Sequence, residues 1–237
     1  MARPLHQVRR RFNESNIFFK SDSSAAIDAG INAVRLHRLE LETYIRLHST
    51  FLDALQPIQV EPNSPLVVRL MADAGVKTNV GPMAAVAGAL ADLAVESMVG
   101  AGARVAIVED GGEIAAASDE SFVVGLYAGQ SVLGADLGFR IEASECPLGI
   151  GTSSATVSHA LSFGEADAAT IFADTATLAD AAATAICNTV VGTDVAGSIQ
   201  LGLDAVRSFP FVRGALIVRG GYVGSIGWVP QLVKVER

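Results

Sequence analysis

The chain has 237 residues, half of them apolar and 18% charged, with a formal net charge of −8. Such a length and apolar content supply a sizeable core and exclude global disorder, and the surplus of acids argues against a nucleic-acid-binding surface. No apolar run approaches the roughly 20 residues of a membrane span, and the N-terminus lacks the apolar stretch of a signal peptide, so a cytoplasmic protein with no membrane partner is expected. Cys146 and Cys187 are isolated, which predicts neither a zinc site nor a disulfide framework.

Residues 7–12 and 17–20 predict a β-hairpin turning at Asn13-Glu14-Ser15-Asn16, with Arg9-Arg10-Arg11 on its solvated face. Asp22 and the serines after it offer caps for a long helix, along which Ile27, Ile31, Val34, Leu41, Ile45, Leu52 and Leu55 form one core-facing stripe. His37 and His48 lie on it among charged neighbours, as surface or boundary residues. Pro57, Pro62 and Pro65 punctuate a linker, a subdomain seam within what is otherwise a single domain over 1–237. Residues 66–71 read as a strand. After Gly81-Pro82 comes a small-residue helix, MAAVAGALADLAVESMV, whose Gly88 and alanines admit close approach by another backbone or a flat ligand. Asp92 and Glu96 fall on a separate, solvated face of that helix. A strand over 104–108 leads to Gly111-Gly112, which is either a hairpin turn or a point where backbone amides approach a phosphate or a carbonyl-rich ring. Further strands are expected over 122–127 and 139–142.

Residues 149–188 carry the best functional signal. A Gly-rich turn bearing Thr152, Ser153 and Ser154 precedes a segment with a lone histidine, His159, then a β-type run over 168–173 and an Ala-rich helix. On that helix Asp180, Thr184 and Asn188 are spaced i, i+4, i+8, one polar stripe on an apolar surface. A buried carboxylate needs a metal, a cation or convergent donors. Asp180 therefore either ligates a metal or, paired with Thr177, satisfies a helix N-terminus. Thr184 either ligates or bonds back to the carbonyl four residues earlier. His159 is either a core histidine or a catalytic, phosphate-contacting one. A Ser153–His159 hydrolase pair lacks both a Gly-x-Ser-x-Gly elbow and a third member. Cys187 is a small buried hydrophobe. A helix over 195–209 interrupted at Gly202 and strands over 215–218 and 222–235 complete the chain. Strand runs with inserted helices, and no regular βαβ alternation, indicate an α+β fold.

Two blocks, VGPMAAVAGALADLAVESMVGAGARVAIVEDGGEIAA (80–116) and GTSSATVSHALSFGEADAATIFADTATLADAAATA (151–185), resemble the ApbE-like superfamily, whose characterised members are FAD:protein FMN transferases. They cover about a third of the chain, which looks closest to a short branch of that superfamily. The resemblance implies mixed sheets with Ala/Gly-rich helices around a central cleft holding FAD or a related diphosphate nucleotide. It further implies Mg²⁺ held by Asp180 and Thr184, the Asp and Thr of the family's ADxxxTA helix. Gly111, Gly112 and Glu113 match its glycine-pair turn near the flavin, Gly88 a glycine of the first helix, and Thr152, Ser153 and Ser154 its Thr/Ser turn. The implied reaction is transfer of FMN to a protein hydroxyl, or hydrolysis at the diphosphate. The transferases also carry His-x-x-Asp-Pro, matched here by His159 and, in place of Asp, Ser162; Ala87 replaces a family Lys. Those departures leave a second expectation, a flavin- or nucleotide-binding or sensing module without transfer chemistry. A third is a homo-oligomer packed through its small-residue helices.

Overall fold

Alternation of apolar and polar residues sets the first hairpin. The computed structural model, which describes residues 3–125, 137–155 and 164–235, places β1 (His6–Phe12) antiparallel to β2 (Ser15–Ser21), with Phe12 opposite Ser15. The turn is thus only Asn13-Glu14, and Asn13 takes the left-handed backbone (φ 51°) that asparagine tolerates. Ile17 and Phe19 point into the core, Phe18 and Lys20 to the opposite face, and the three arginines are exposed as expected.

Ser23 caps α1 (Ser24–Leu47) by accepting the Ala26 N–H. The expected stripe holds through Leu41, but the helix ends at Leu47. Phe51 of the short α2 (Thr50–Asp53) then takes the core position, leaving Leu52 and Leu55 exposed. Residues 66–71 are not a strand. They open α3 (Leu66–Thr78), which starts at Pro65 and buries Val67, Val68, Met71, Ala72, Ala74, Gly75 and Thr78. The apolar run alone fits either structure, and the helical spacing emerges only when its continuation to Thr78 is included. A 3-10 turn, Pro82–Ala85, leads into α4 (Val86–Gly100). Contrary to the expectation from sequence, these 19 residues are long and apolar enough to cross a membrane, by length and composition. In this fold half of that stretch is buried, packed against α1 and the first strands.

β3 (Val105–Asp110) and β4 (Glu113–Ser118) form a hairpin through Gly111 and Gly112, whose φ values of 74° and 146° need glycine. β5 (Phe122–Gly125) and β6 (Leu137–Ile141) follow. Residues 149–153, expected as a Gly-rich turn, belong instead to β7 (Leu148–Ser153), a strand interior to the sheet. Its glycines serve packing. A Cβ at Gly149 would lie 2.0 Å from the Thr175 carbonyl carbon, and one at Gly151 2.5 Å from that of Ala179. β8 (Ala168–Ala173) is buried throughout. It leads to α5 (Ala176–Thr189), capped by Thr175, which accepts the Leu178 N–H. α6 (Val195–Val206) runs through Gly202 without a break, because the missing side chain admits Ile217 and Val190. β9 (Val212–Arg219), β10 (Tyr222–Gly227) and β11 (Gln231–Lys234) close the chain.

Among the described residues the strands form an eight-stranded antiparallel sheet, ordered β1-β2-β3-β4-β7-β8-β9-β10, and a small sheet, β11-β6-β5. Helices α1 and α4 cover one face of the large sheet over β2 and β3, and α5 and α6 cover the same face over β8 and β9. The small sheet packs on the opposite face, through Phe122, Phe139 and Ile141 against Ile107, Ile114, Ile150 and Phe172. α3 and α2 pack outside α4 and α5 around Phe51, Met71 and Leu90. This is the expected α+β fold.

Candidate functional site

The β3–β4 turn, the start of α4 and the middle of α5 converge on a cleft of about 1260 Å³, beyond the usual 300–1,000 Å³ of a small-molecule pocket. Its floor includes Gly111, Gly112, Glu113, Thr152, Ser153, Ser154, Asp180 and Thr184, so eight of the residues singled out in the sequence meet here. His159 and Ser162 lie outside the described residues. Gly88 is not on the cleft wall. It sits where α4 crosses α5, and a Cβ there would fall 2.3 Å from the Ala176 carbonyl oxygen.

Asp180 does not cap its own helix. Its Oδ2 accepts the Gly88 N–H at 3.0 Å and its carboxylate also takes the Ala87 N–H, both in the first turn of α4, where amides lack partners within the helix. Burial pushes Asp180 up to about 8, with Asp110 and Asp92 adding repulsion against those two amides. Glu113 is raised well above the carboxylate range by burial and by Asp180 and Asp110, although its carboxylate accepts the Thr152 N–H. Asp110 is also raised by burial; Ser15 and the charge of Arg38 oppose this, and Arg38 is itself bonded to Glu14 at 2.7 Å. Three carboxylates therefore share a floor short of positive charge. One turn beyond Asp180 stands Thr184, whose hydroxyl has no protein partner among the described residues. The hydroxyls of Thr152 and Thr170 lie 3.1 Å apart across β7 and β8.

Asp92, expected on a solvated face, is the structural counterpart of Asp180. Its Oδ1 accepts the Ala176 N–H at 3.0 Å, and its Oδ2 accepts the Thr177 N–H at 2.8 Å and the Thr177 hydroxyl at 2.6 Å. It satisfies the N-terminus of α5, which an i, i+4 count along α4 alone cannot reveal. Glu96 is exposed as expected. The repeated Leu-Ala-Asp of residues 90–92 and 178–180 was the available signal, because each Asp sits four residues after the amide that the other helix's Asp accepts.

Among the described residues no three His, Cys, Asp or Glu side chains form a metal cage by themselves. The floor nevertheless suits a hard cation that brings oxygen ligands with it. Its donors are carboxyl and hydroxyl oxygens, its acids are raised by burial so that a bound cation would favour loss of their protons, and Mg²⁺ commonly takes only one or two protein ligands beside phosphate and water.

A family model described as "AbpE bacteria" matches residues 4–200. The chain belongs to this family, within the ApbE-like superfamily. The UPF0280 protein of Methanosarcina barkeri (strain Fusaro / DSM 804) is 44% identical to it over 227 residues, covering 95% of this chain and 88% of that one. The UPF0280 protein of Methanocaldococcus jannaschii is 41% identical over 226 residues, covering 94% and 91%. Among solved structures, the apo form of the Pseudomonas stutzeri flavinyl transferase ApbE superposes with a TM-score of 0.62 at 14% identity, over 94% of both chains. The ApbE protein of Thermotoga maritima gives 0.57 at 14% identity, over 93% of this chain and 96% of that one. At such identities the likeness establishes the ApbE-like fold.

Proposed function

We propose that the cleft of this ApbE-like chain binds a flavin or another diphosphate-bearing nucleotide together with Mg²⁺, with FAD the first candidate. The observation that carries the reading is the buried Asp180 carboxyl group, beside Glu113 and Asp110, on a floor where burial raises all three acids, and one turn from Thr184, whose hydroxyl has no protein partner among the described residues. Asp180 and Thr184 would hold the metal, which when bound would offset the carboxylates and polarise phosphate oxygens. The amides at Gly111 and Gly112 and the hydroxyls of Thr152, Ser153 and Ser154 would orient the nucleotide. In transfer, the hydroxyl oxygen of a protein Ser or Thr attacks the phosphorus of the FMN half. The new P–O bond forms, the bridging P–O bond breaks, AMP departs with its electron pair, and the hydroxyl proton passes to a base, for which His159 is the candidate. With water as the acceptor the same step is hydrolysis.

Thermal unfolding of metal-stripped protein with FAD, FMN, ADP and ATP, with and without Mg²⁺, tests the reading, because a ligand of the native state raises the midpoint. The expected result is an FAD shift that requires Mg²⁺ and is lost in Asp180→Asn, a variant that keeps an oxygen for the α4 amides. FMN and AMP would then be sought as products. No shift with any nucleotide would reduce the family relation to one of fold.

A second reading, a binding or sensing module, is favoured by Ser162 standing where the transferases have Asp. It predicts FAD bound and recovered intact under Mg²⁺.

A further inference from the structure

The far end of the cleft has the opposite character from its floor. Lys20 lines it, half-buried on β2, and among the described residues its ammonium has no hydrogen bond or ion pair. Phe18, two residues earlier on the same face, lines the wall beside it, and the Arg9 guanidinium lies 4.9 Å above the Phe18 ring. The acid facing Arg9 is Glu109, at 3.9 Å, and both are well exposed. Ile107, Phe122 and Val123 complete an apolar wall at this end.

Strand register fixes the separation from the floor. Thr152 lies level with the Gly111-Gly112 turn, and Lys20 pairs with Ile107 on the far side of β3. Three strand spacings across and four residues along the sheet amount to about 20 Å. In a chain of net charge −8, a half-buried lysine with no partner among the described residues gives up part of its hydration without a protein anion to replace it there. It is well placed for an anion that arrives with a ligand.

We infer that Lys20, assisted by Arg9, forms an anion subsite, and that the cleft's ligand system carries a carboxylate or phosphate at the end remote from the Asp180 floor. The inference rests on the nucleotide reading for the identity of the rest of the ligand. The anion belongs either to the nucleotide itself or to a second, acceptor molecule, and both present the same chemistry to Lys20.

The chain has three lysines, Lys20, Lys77 and Lys234, so reductive methylation with ¹³C-formaldehyde labels few enough sites to follow individually while keeping their charge. The label at position 20 is identified by its loss in Lys20→Gln. The probes are FAD, FAD carrying a carboxyethyl group on the adenine amino nitrogen, and FAD with glutarate, all with Mg²⁺, and glutarate alone. The expected result is a Lys20 shift with the carboxyethyl probe, if the anion is the nucleotide's own, or with FAD plus glutarate, if it is the acceptor's. That probe should also bind Lys20→Gln about tenfold more weakly, with Lys20→Arg restoring affinity and plain FAD indifferent to both changes. A Lys20 signal unmoved by every anionic probe, with equal affinities in all variants, overturns the subsite. A Lys20 shift by glutarate alone, without binding of FAD, retains the subsite and removes the nucleotide reading instead.

Discussion

Asp180 is an acid whose folded form favours the proton, since burial and neighbouring carboxylates hold it at about 8 against an ordinary value of 3.8. Its contribution to stability is fully present below the unfolded value and is lost as pH rises through the folded one, because the native state binds the extra proton over that range. Asp92, Asp110 and Glu113 are displaced in the same direction. The ligand-free protein should therefore lose stability between about pH 4 and pH 8, with a slope approaching about 1.4 kcal/mol per pH unit for each such proton. Asp180→Asn should flatten that slope and be more stable than the parent at pH 8 in urea unfolding. An unchanged slope would mean that Asp180 is ionised in the native state. The i, i+4 spacing of Asp180 and Thr184 was legible in the sequence because both sit on one helix. The amides that Asp180 accepts were not, because they come from a helix 92 positions away. Lys20 and Phe18 were legible only as residues of the second strand of a hairpin, and became part of the cleft wall once the small sheet was placed on their side of the large one.

At the scale of elements, α5 rests directly on β7 because residues 149 and 151 are glycines. Gly149→Ala would put a methyl group inside the first turn of α5 and should destabilise the fold by about 3 kcal/mol, with loss of any ligand held by Asp180. Gly100→Ala is the control. Nothing lies within 4 Å of its Cβ at the end of α4, and it should be neutral or stabilising by up to about 1 kcal/mol in chemical denaturation. The same glycines explain why residues 149–154 read as a turn: glycine signals a bend in a sequence, and only the neighbouring helix shows that it signals close packing instead. The first hairpin, the turn at Gly111-Gly112, β8 and the Ala-rich helix were legible because local pattern decides them. α3 was not, because six apolar-rich residues satisfy both periods, and Asp92 was not, because its partners belong to another element.

At the scale of the molecule, the last strand, β11, leaves the large sheet and pairs with β6 of the small one. Trp228, on the segment between, meets Phe172 edge-on at 5.7 Å, and Phe172 meets Phe139 of the small sheet at 5.0 Å. The sole tryptophan thus reports on the seam between the sheets. For a single domain, its fluorescence and the far-ultraviolet circular dichroism should trace one coincident urea transition, and an earlier fluorescence change would separate the small sheet from the rest. A second tie runs through the helical layer. α4 packs over β2 and β3, α5 over β8, and each gives its aspartate to the first amides of the other. The two halves of the large sheet are thereby joined by a closed ring of helix-end bonds, in which neither helix can shift without unseating both ends. Asp92→Asn and Asp180→Asn should accordingly fail to add in a double-mutant cycle, with a coupling free energy on the order of 1 kcal/mol. A ligand that draws on Asp180 would then be felt at Asp92, on the far side of the helix pair, as slower exchange of the Ala176 amide hydrogen.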